Sequence, residues 1–524
     1  DENMVASAIG DRFGEGNKKA GINFLEKIIQ IPLKLPLAQK ASLKTYCFQM
    51  VDQAIANSKI EITDEEARNF ASKFISFFLL RLNTPRLAVR YGNSLTFTLP
   101  LLKDEVNTID LLLIEAIHVF YPEIYDLIRN QPDYFIGKYQ TLTQDTWNTE
   151  KISRYNQLFE EHCKDYNQEE KECIKGILNE LFPRLKQGIE KNHNYIISNE
   201  ESLYNLKRIS SSFYFNRYFS YTVIKGDISD VAYNELIETI RNQEYSLSIE
   251  STIELIKKGT PENFIQKIKY KVRTFDSQTA IKMTKILGEL GDYFPNTDSN
   301  FLQYSSPYFQ AVYCVSQLVK NQIDEADNVD IIKWLIENAK PFPYSIEIYN
   351  TILDKKDQFM IGITKEDQTE FARLIISRAK SLSNNKPIWI ELPVESKFLL
   401  GIWAVNLDKE DLHNEIKRWL DSDISLTTSL VRVFAPLIRS NIHPTLYNGD
   451  LDNKQYVWLK SILPLDYIFQ KISQITNYKL NDPIKYIELE SKQTDENMLK
   501  QFIYWYIQDR NNPNPSEDNI KVEI

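Results

Sequence analysis

Residues 24–36 read FLEKIIQIPLKLP, and residues 83–95 read NTPRLAVRYGNSL. In the first stretch Ile29, Ile31, Leu33 and Leu35 alternate with Gln30, Pro32 and Lys34, the period-two pattern of a strand with one buried face. Pro32 has no N–H to donate to a ladder, which predicts a strand at a sheet edge. A lone strand cannot hide its apolar face. Its partner strands are therefore expected upstream of this chain, or the segment is expected to pack on helices. In the second stretch Thr84 is placed to cap a helix whose first position is Pro85. Arg86, Arg90 and Asn93 then fall at i, i+4 and i+7 on one face of that helix. A cation in the first turn opposes the helix dipole at a cost of about 0.3–1 kcal/mol, so Arg86 calls for an anionic partner. A phosphate fits, because a guanidinium fork matches phosphate oxygens bidentately. A carboxylate from Glu65, Glu66 or Asp104 is the alternative.

Around these stretches the pattern is helical. A short helix is predicted at Asn3–Ile9, followed by a Gly- and Lys-rich loop up to residue 23. Leu43, Cys47, Met50, Val51 and Ala54 make an apolar stripe after Pro36. Thr63 and Glu66 have the spacing of a capping box, and IDLLLIEAIHVF predicts an apolar helix ending before Tyr121-Pro122. Beyond residue 136, capped amphipathic helices are expected to run to near the end, with starts at Thr260-Pro261, Asp276-Ser277, Ser306-Pro307 and Thr364–Asp367. Phe371, Leu374, Ile375, Ala379 and Leu382 recur at helical spacing, as do Leu499, Phe502, Ile503 and Tyr506. Gly291 followed by Pro295 reads as a helix stop, and the tail NNPNPSEDNIKVEI is expected to fray. No fixed repeat period emerges, which leaves irregularly stacked helical pairs open.

Composition supports a mainly α chain. At 524 residues it has room for two to four domains, and only 15 glycines are present, too few for a turn-rich β architecture. A net charge of −10 argues against a nucleic-acid surface spread over the whole chain. Cys47, Cys163, Cys173 and Cys314 form no CxxC pair, which disfavours a disulfide framework and points to a reducing compartment. His162, Cys163 and Cys173 match no common zinc spacing, so no metal ligand is assigned. No run of eighteen apolar residues and no signal peptide occur, and the chain begins DENMVASAIG, with an upstream segment expected. No G-x-x-x-x-G-K-[S/T] phosphate loop occurs; the nearest glycine cluster, IGDRFGEGNKK, lacks its spacing and hydroxyl.

DENMVASAI, FLEKIIQIPLKLP, NTPRLAVRYGNSL and IDLLLIEAIHVFYPEIY, in that order over about residues 1–135, resemble the KAP family of P-loop NTPases. The resemblance implies three parts: residues 1–35 as the last strand region of the NTPase α/β core, residues 36–135 as a helical lid, and residues 136–524 as an α-helical effector or interaction domain. It implies ATP with Mg²⁺ as cofactors, held mainly by an upstream half, and lid residues Arg86, Arg90 and Asn93 reading the nucleotide phosphate. It also implies that Lys27, at the foot of the edge strand, reaches a neighbouring subunit's phosphate as a trans finger, although lysine is a poorer bidentate partner than arginine. Partners implied are the upstream NTPase half, further copies of the chain or another protein. A membrane is implied only through upstream segments, which places the chain in the cytoplasm or at the inner membrane face. Bacterial family members are associated with exclusion of phage or plasmids, so a defence role is the expected process.

Other arrangements carry less. Glu115 and His118 form one E-x-x-H, whereas a di-metal site needs two such helices, and Val119 and Phe120 beside them suggest packing. Arg439 and His443 are too closely spaced for the Arg–His pair of small helical ribonuclease toxins. No Ser/His/Asp or Cys/His signature occurs. The seven Trp and 29 Tyr read as core. Two other functions stay open: a non-enzymatic helical scaffold, and a nucleic-acid effector using the basic and aromatic residues of 184–220, with Lys207 and Arg208 at its centre.

Overall fold

The computed structural model describes residues 2–13, 18–29, 38–136, 149–185, 200–296, 306–353, 362–439, 446–480, 482–488 and 494–511. Among them the chain is mainly α and divides into two compact units, Asp1–Ile224 and Lys225–Ile524. No helix among the described residues is long and apolar enough to cross a membrane.

The first unit opens with a hairpin of α1 (Glu2–Phe13) and α2 (Lys18–Ile28). Its helices approach so closely that a Cβ on Gly21 would lie 1.8 Å from the Ala6 carbonyl oxygen. Much of the loop expected up to residue 23 is therefore helix. Phe24–Ile28, which opens the stretch quoted first, is helix as well. The physical reason is local: Leu, Glu and Lys favour helix here, and the period-two alternation begins only at Ile29. Gln30–Leu35, the rest of the expected strand, lie outside the described residues. Lys27, expected at the foot of that strand, sits exposed in the last turn of α2, where a cation suits the carbonyl end of the dipole.

Next come α3 (Lys40–Asn57), α4 (Asp64–Phe77), α5 (Pro85–Leu101), α6 (Thr108–Phe120) and α7 (Pro122–Asn130). Their starts follow the expected caps: Thr63 and Glu66 form the capping box of α4, and Thr84 caps α5 with Pro85 in first position. Lys40 at the start of α3 donates to the Leu80 carbonyl before α5, and Lys103 after α5 donates to the Lys59 carbonyl after α3. The two helices therefore run parallel. They touch where a Cβ on Gly92 would lie 2.7 Å from Met50 Cβ. Phe74 anchors the core between them, with the rings of Phe78, Tyr91 and Phe120 5.5, 5.6 and 5.8 Å away. Offset aromatic contacts of this kind add about 0.5–1.5 kcal/mol beyond area burial. The unit continues through α8 (Thr149–His162), α9 (Gln168–Leu181), α10 (Glu200–Asn205) and α11 (Phe215–Ser220). Helix α9 packs on α4 and α8 packs on α7.

The second unit begins with α12 (Asp230–Asn242), α13 (Tyr245–Lys258), α14 (Pro261–Lys271), α15 (Ser277–Glu289) and α16 (Pro307–Asn321). It goes on with α17 (Glu325–Asn338), α18 (Phe342–Ile352), α19 (Lys365–Leu382), α20 (Ile388–Glu391), α21 (Ser396–Asn406) and α22 (Lys409–Ser422). Thr260, Asp276, Ser306 and Thr364 each accept a backbone N–H as N-cap, as expected. The helices stack in two rows: α15, α17, α19 and α21 in one, α14, α16 and α18 in the other, with α15 against α16 and α17 against α18 across the rows. This is the stacking of helical-repeat solenoids, built here without a repeat in the sequence. A buried ion pair, Lys267 Nζ to Asp230 Oδ2 at 3.0 Å, ties the beginning of the stack together.

Among the described residues of the remainder, the helical expectation fails at a short strand pair. Leu437–Arg439 and Leu446–Asn448 form a short antiparallel strand pair, β1 and β2, with Ile438 opposite Tyr447. Its turn, including His443, lies outside the described residues. Helices α23 (Leu426–Arg432), α24 (Asn453–Ile462), α25 (Leu465–Thr476) and α26 (Asp495–Asn511) complete the unit. Leu499, Phe502, Ile503 and Tyr506 are buried on α26 as their spacing requires. On α19 the stripe ends early: Phe371, Ile375 and Ala379 are buried, but Leu382 is exposed.

Candidate functional site

Helix α5 turns one face inward, burying Ala88, Tyr91, Gly92, Leu95, Thr98 and Leu99. Its opposite face therefore carries Arg86, Arg90, Asn93 and Phe97, all exposed. Among the described residues neither guanidinium makes an ion pair or a hydrogen bond. The carboxylates that could have neutralised them are not so engaged: Glu66 accepts from the Thr63 amide and hydroxyl, and neither Glu65 nor Asp104 pairs with either arginine. Other arginines of this unit are paired, Arg81 with Glu170 at 3.0 Å and Arg184 with Glu200 at 3.2 Å.

Behind this face lies a buried carboxylate. The Ser94 hydroxyl, one turn beyond Arg90, donates to Glu115 Oε2 on α6. Glu115 is fully buried, and its Oε1 has no hydrogen-bond partner. His118 Nδ1 lies 3.4 Å from Glu115 Oε2, and its ring stacks on Tyr125 at 4.4 Å. The Tyr125 and Tyr221 hydroxyls are 3.1 Å apart. Burial, and after it the Glu115 charge, pushes the Tyr221 phenol up, so it stays a neutral hydroxyl. The Tyr221 ring returns to α5, meeting Phe97 edge-on at 6.3 Å. The E-x-x-H read as packing is thus joined to the outer face of α5 through Ser94.

A second set of charges clamps residues 200–221 to the loop and helix after α5. Arg217 Nη1 meets Glu105 Oε2 at 2.8 Å with both side chains buried, and Arg208 Nε meets Asp110 Oδ2 at 2.7 Å. Asp110 also accepts from the Ile209 amide at 2.9 Å. Burial disfavours the charged form of Arg208, but the adjacent Asp110 overrides it and the pKa is raised. Lys207 Nζ donates to the Asp104 carbonyl. The basic residues at 207–217 are therefore engaged internally; residues 186–199 of the same stretch lie outside the described ones. Sequence reading passed over Ser94, Glu105, Asp110 and Arg217. The available signal was a pair of carboxylates, Asp110 and Glu115, inside an otherwise apolar helix.

Lys27 is carried on α2, whereas Arg86, Arg90 and Asn93 are carried on α5. His162 Nδ1 bonds the Leu158 carbonyl at 2.8 Å, and burial pushes the Cys163 thiol up to about 12. Among the described residues no group of three or more His, Cys, Asp and Glu could hold a metal ion.

The family model described as the KAP family P-loop domain matches residues 1–102. That span ends with α5 and contains Lys27, Arg86, Arg90 and Asn93. No curated protein and no solved structure matches the chain. Over residues 1–102, then, the chain matches the KAP family P-loop domain, as its sequence resemblance led us to expect.

Proposed function

We propose that this chain is the sensing and effector part of a KAP-type NTPase, in which Arg86 and Arg90 read the phosphate of a bound nucleotide. The observation that carries this reading is the exposed, unpaired pair of guanidiniums one turn apart on α5, inside the family match. Two such forks and the Asn93 amide fit phosphate oxygens. The chain has no phosphate-loop motif, and on this reading the cradle is supplied by a separate polypeptide segment. By the same family resemblance, Mg²⁺ would be held with that cradle.

Phosphate bound at Arg86 and Arg90 pulls on α5. Ser94 passes the displacement to Glu115 and its Tyr125–Tyr221 neighbours, and the pairs Arg217–Glu105 and Arg208–Asp110 make residues 200–221 follow. Phosphate loss releases the face. Lys27 acts from a neighbouring copy of the chain, and exclusion of phage is the process served, both by family resemblance. A scaffold role for residues 225–524 is compatible with the two-row helix stack, a form that offers extended binding surfaces.

The test is nucleotide hydrolysis by the complete polypeptide, beside this 524-residue segment and an Arg86→Ala, Arg90→Ala variant of the whole. Turnover in the complete protein, none in the segment and a deep loss in the variant support the reading. Unchanged turnover in the variant removes α5 from the mechanism.

A further inference from the structure

A cavity of about 210 Å³ opens in the second unit, far along the chain from α5. Three indoles line it: Trp389 on α20, Trp403 on α21 and Trp419 on α22. Ile388, Leu400 and Leu412 complete an apolar floor, while Lys380, Lys386 and Arg418 stand at its edge. An engineered cavity of about 150 Å³ encloses a benzene ring. The space here therefore admits a planar ring with a small substituent.

The polar groups around it are not all satisfied. Trp403 Nε1 donates to Asp411 at 3.1 Å and Trp419 Nε1 to Glu415 at 2.8 Å. The Trp389 Nε1 has no partner, although the residue is only 3 % exposed. A buried N–H without an acceptor is costly, and each such group in a native fold needs an explanation. Among the cations, Lys386 is paired with Glu391 and Arg418 with Glu415. Lys380 has no carboxylate partner; its ammonium rests on the Trp403 ring, 3.9 Å from the centroid. The turn between α19 and α20 holds Asn384 and Asn385 at φ +47° and +60°, which brings Asn385 and Lys386 to the rim.

We propose that this cavity binds a planar heteroaromatic anion: the ring lies among the three indoles, a ring acceptor takes the Trp389 N–H, and Lys380 meets the negative group. Aromatic side chains bind bases by stacking on their π-faces, and a lone planar ring can use the same contact. Two sources supply this chemistry, a mononucleotide or a free aromatic acid. The site is independent of the nucleotide face proposed for α5, with no residue in common.

The test is calorimetric titration of the full chain at about 1 mM ligand. One arm uses AMP, GMP, CMP and UMP, the other the pyridine carboxylates nicotinate and picolinate, with adenosine as the uncharged control. Saturable binding in one arm identifies the source. Lys380→Gln, at an exposed position, should then weaken the anion about tenfold and leave adenosine unchanged, as expected for loss of one charge-assisted bond. Trp389→Phe, which keeps a ring and removes the donor, should weaken the anion as well. Arg86→Ala should change nothing here, which separates this site from the α5 face. Absence of saturable binding in both arms overturns the proposal, as does unaltered binding to Lys380→Gln and Trp389→Phe.

Discussion

The Ser94 hydroxyl on α5 donates to the fully buried carboxylate of Glu115 on α6. That bond places a charge-bearing group directly behind the helix whose outer face carries Arg86 and Arg90. The other carboxylate oxygen is unpartnered, so the Ser94 contact matters more to Glu115 than an average hydrogen bond would.

On the proposed function, replacing Arg86 or Arg90 by alanine in the complete polypeptide should lower nucleotide hydrolysis on the order of 10²-fold, the usual loss when one stabilising donor is removed from a charged transition state. Both side chains are exposed, so the thermal transition should stay put. Steady-state turnover together with a melting curve checks both halves of this expectation.

Arg217 and Glu105 are a buried ion pair, with side chains 2 % and 7 % exposed. Removing one partner strands the other charge, and Arg217→Met should cost about 3–5 kcal/mol in urea unfolding. Adding Glu105→Leu should recover much of that loss, because the stranded charge disappears with it. A double variant no better than the single would show that packing, not charge, holds this joint.

Gly92→Ala sets two effects against each other. Alanine favours helix by about 1 kcal/mol over glycine. The new Cβ, however, would lie 2.7 Å from Met50 Cβ, an atom fixed to the α3 backbone that cannot swing aside. Overpacking of this kind costs about 1–3 kcal/mol, so the substitution should be destabilising overall. A raised denaturation midpoint would show that α3 and α5 can part at no cost.

Glu347 and Glu395 in the second unit both have pKa values raised above 4.5, first by burial and, for Glu347, also by the charge on Glu395. A carboxyl group whose folded pKa is raised contributes its stability while protonated, below the unfolded value, and loses it as pH rises through the folded value. Above the folded values both carboxylates are charged and cost stability. Glu347→Gln should therefore stabilise the protein near pH 7, and that gain should vanish near pH 4. Denaturant curves at the two pH values decide it; an equal gain at both would rule out the charge as the cause.

Much of the helical skeleton is legible in the chain alone. Thr63, Thr84, Thr260, Asp276, Ser306 and Thr364 start helices because the cap is a bond to an amide two or three residues away, which sequence spacing alone can arrange. Phe24–Ile28 precede the alternation that starts at Ile29 and are helix, because Leu, Glu and Lys there favour it. That Arg86, Arg90 and Asn93 share one face of α5 was legible too, since i, i+4 and i+7 share a side on any helix, whereas its exposure was not. Tertiary structure alone decided the rest. Arg217 meets Glu105 across 112 residues, Arg208 meets Asp110 across 98, and the indole cavity draws on four helices. A charge in sequence carries no mark of the charge it will neutralise, because that choice is made when burial removes water and each buried ion must find a partner from whatever the packed helices bring within reach.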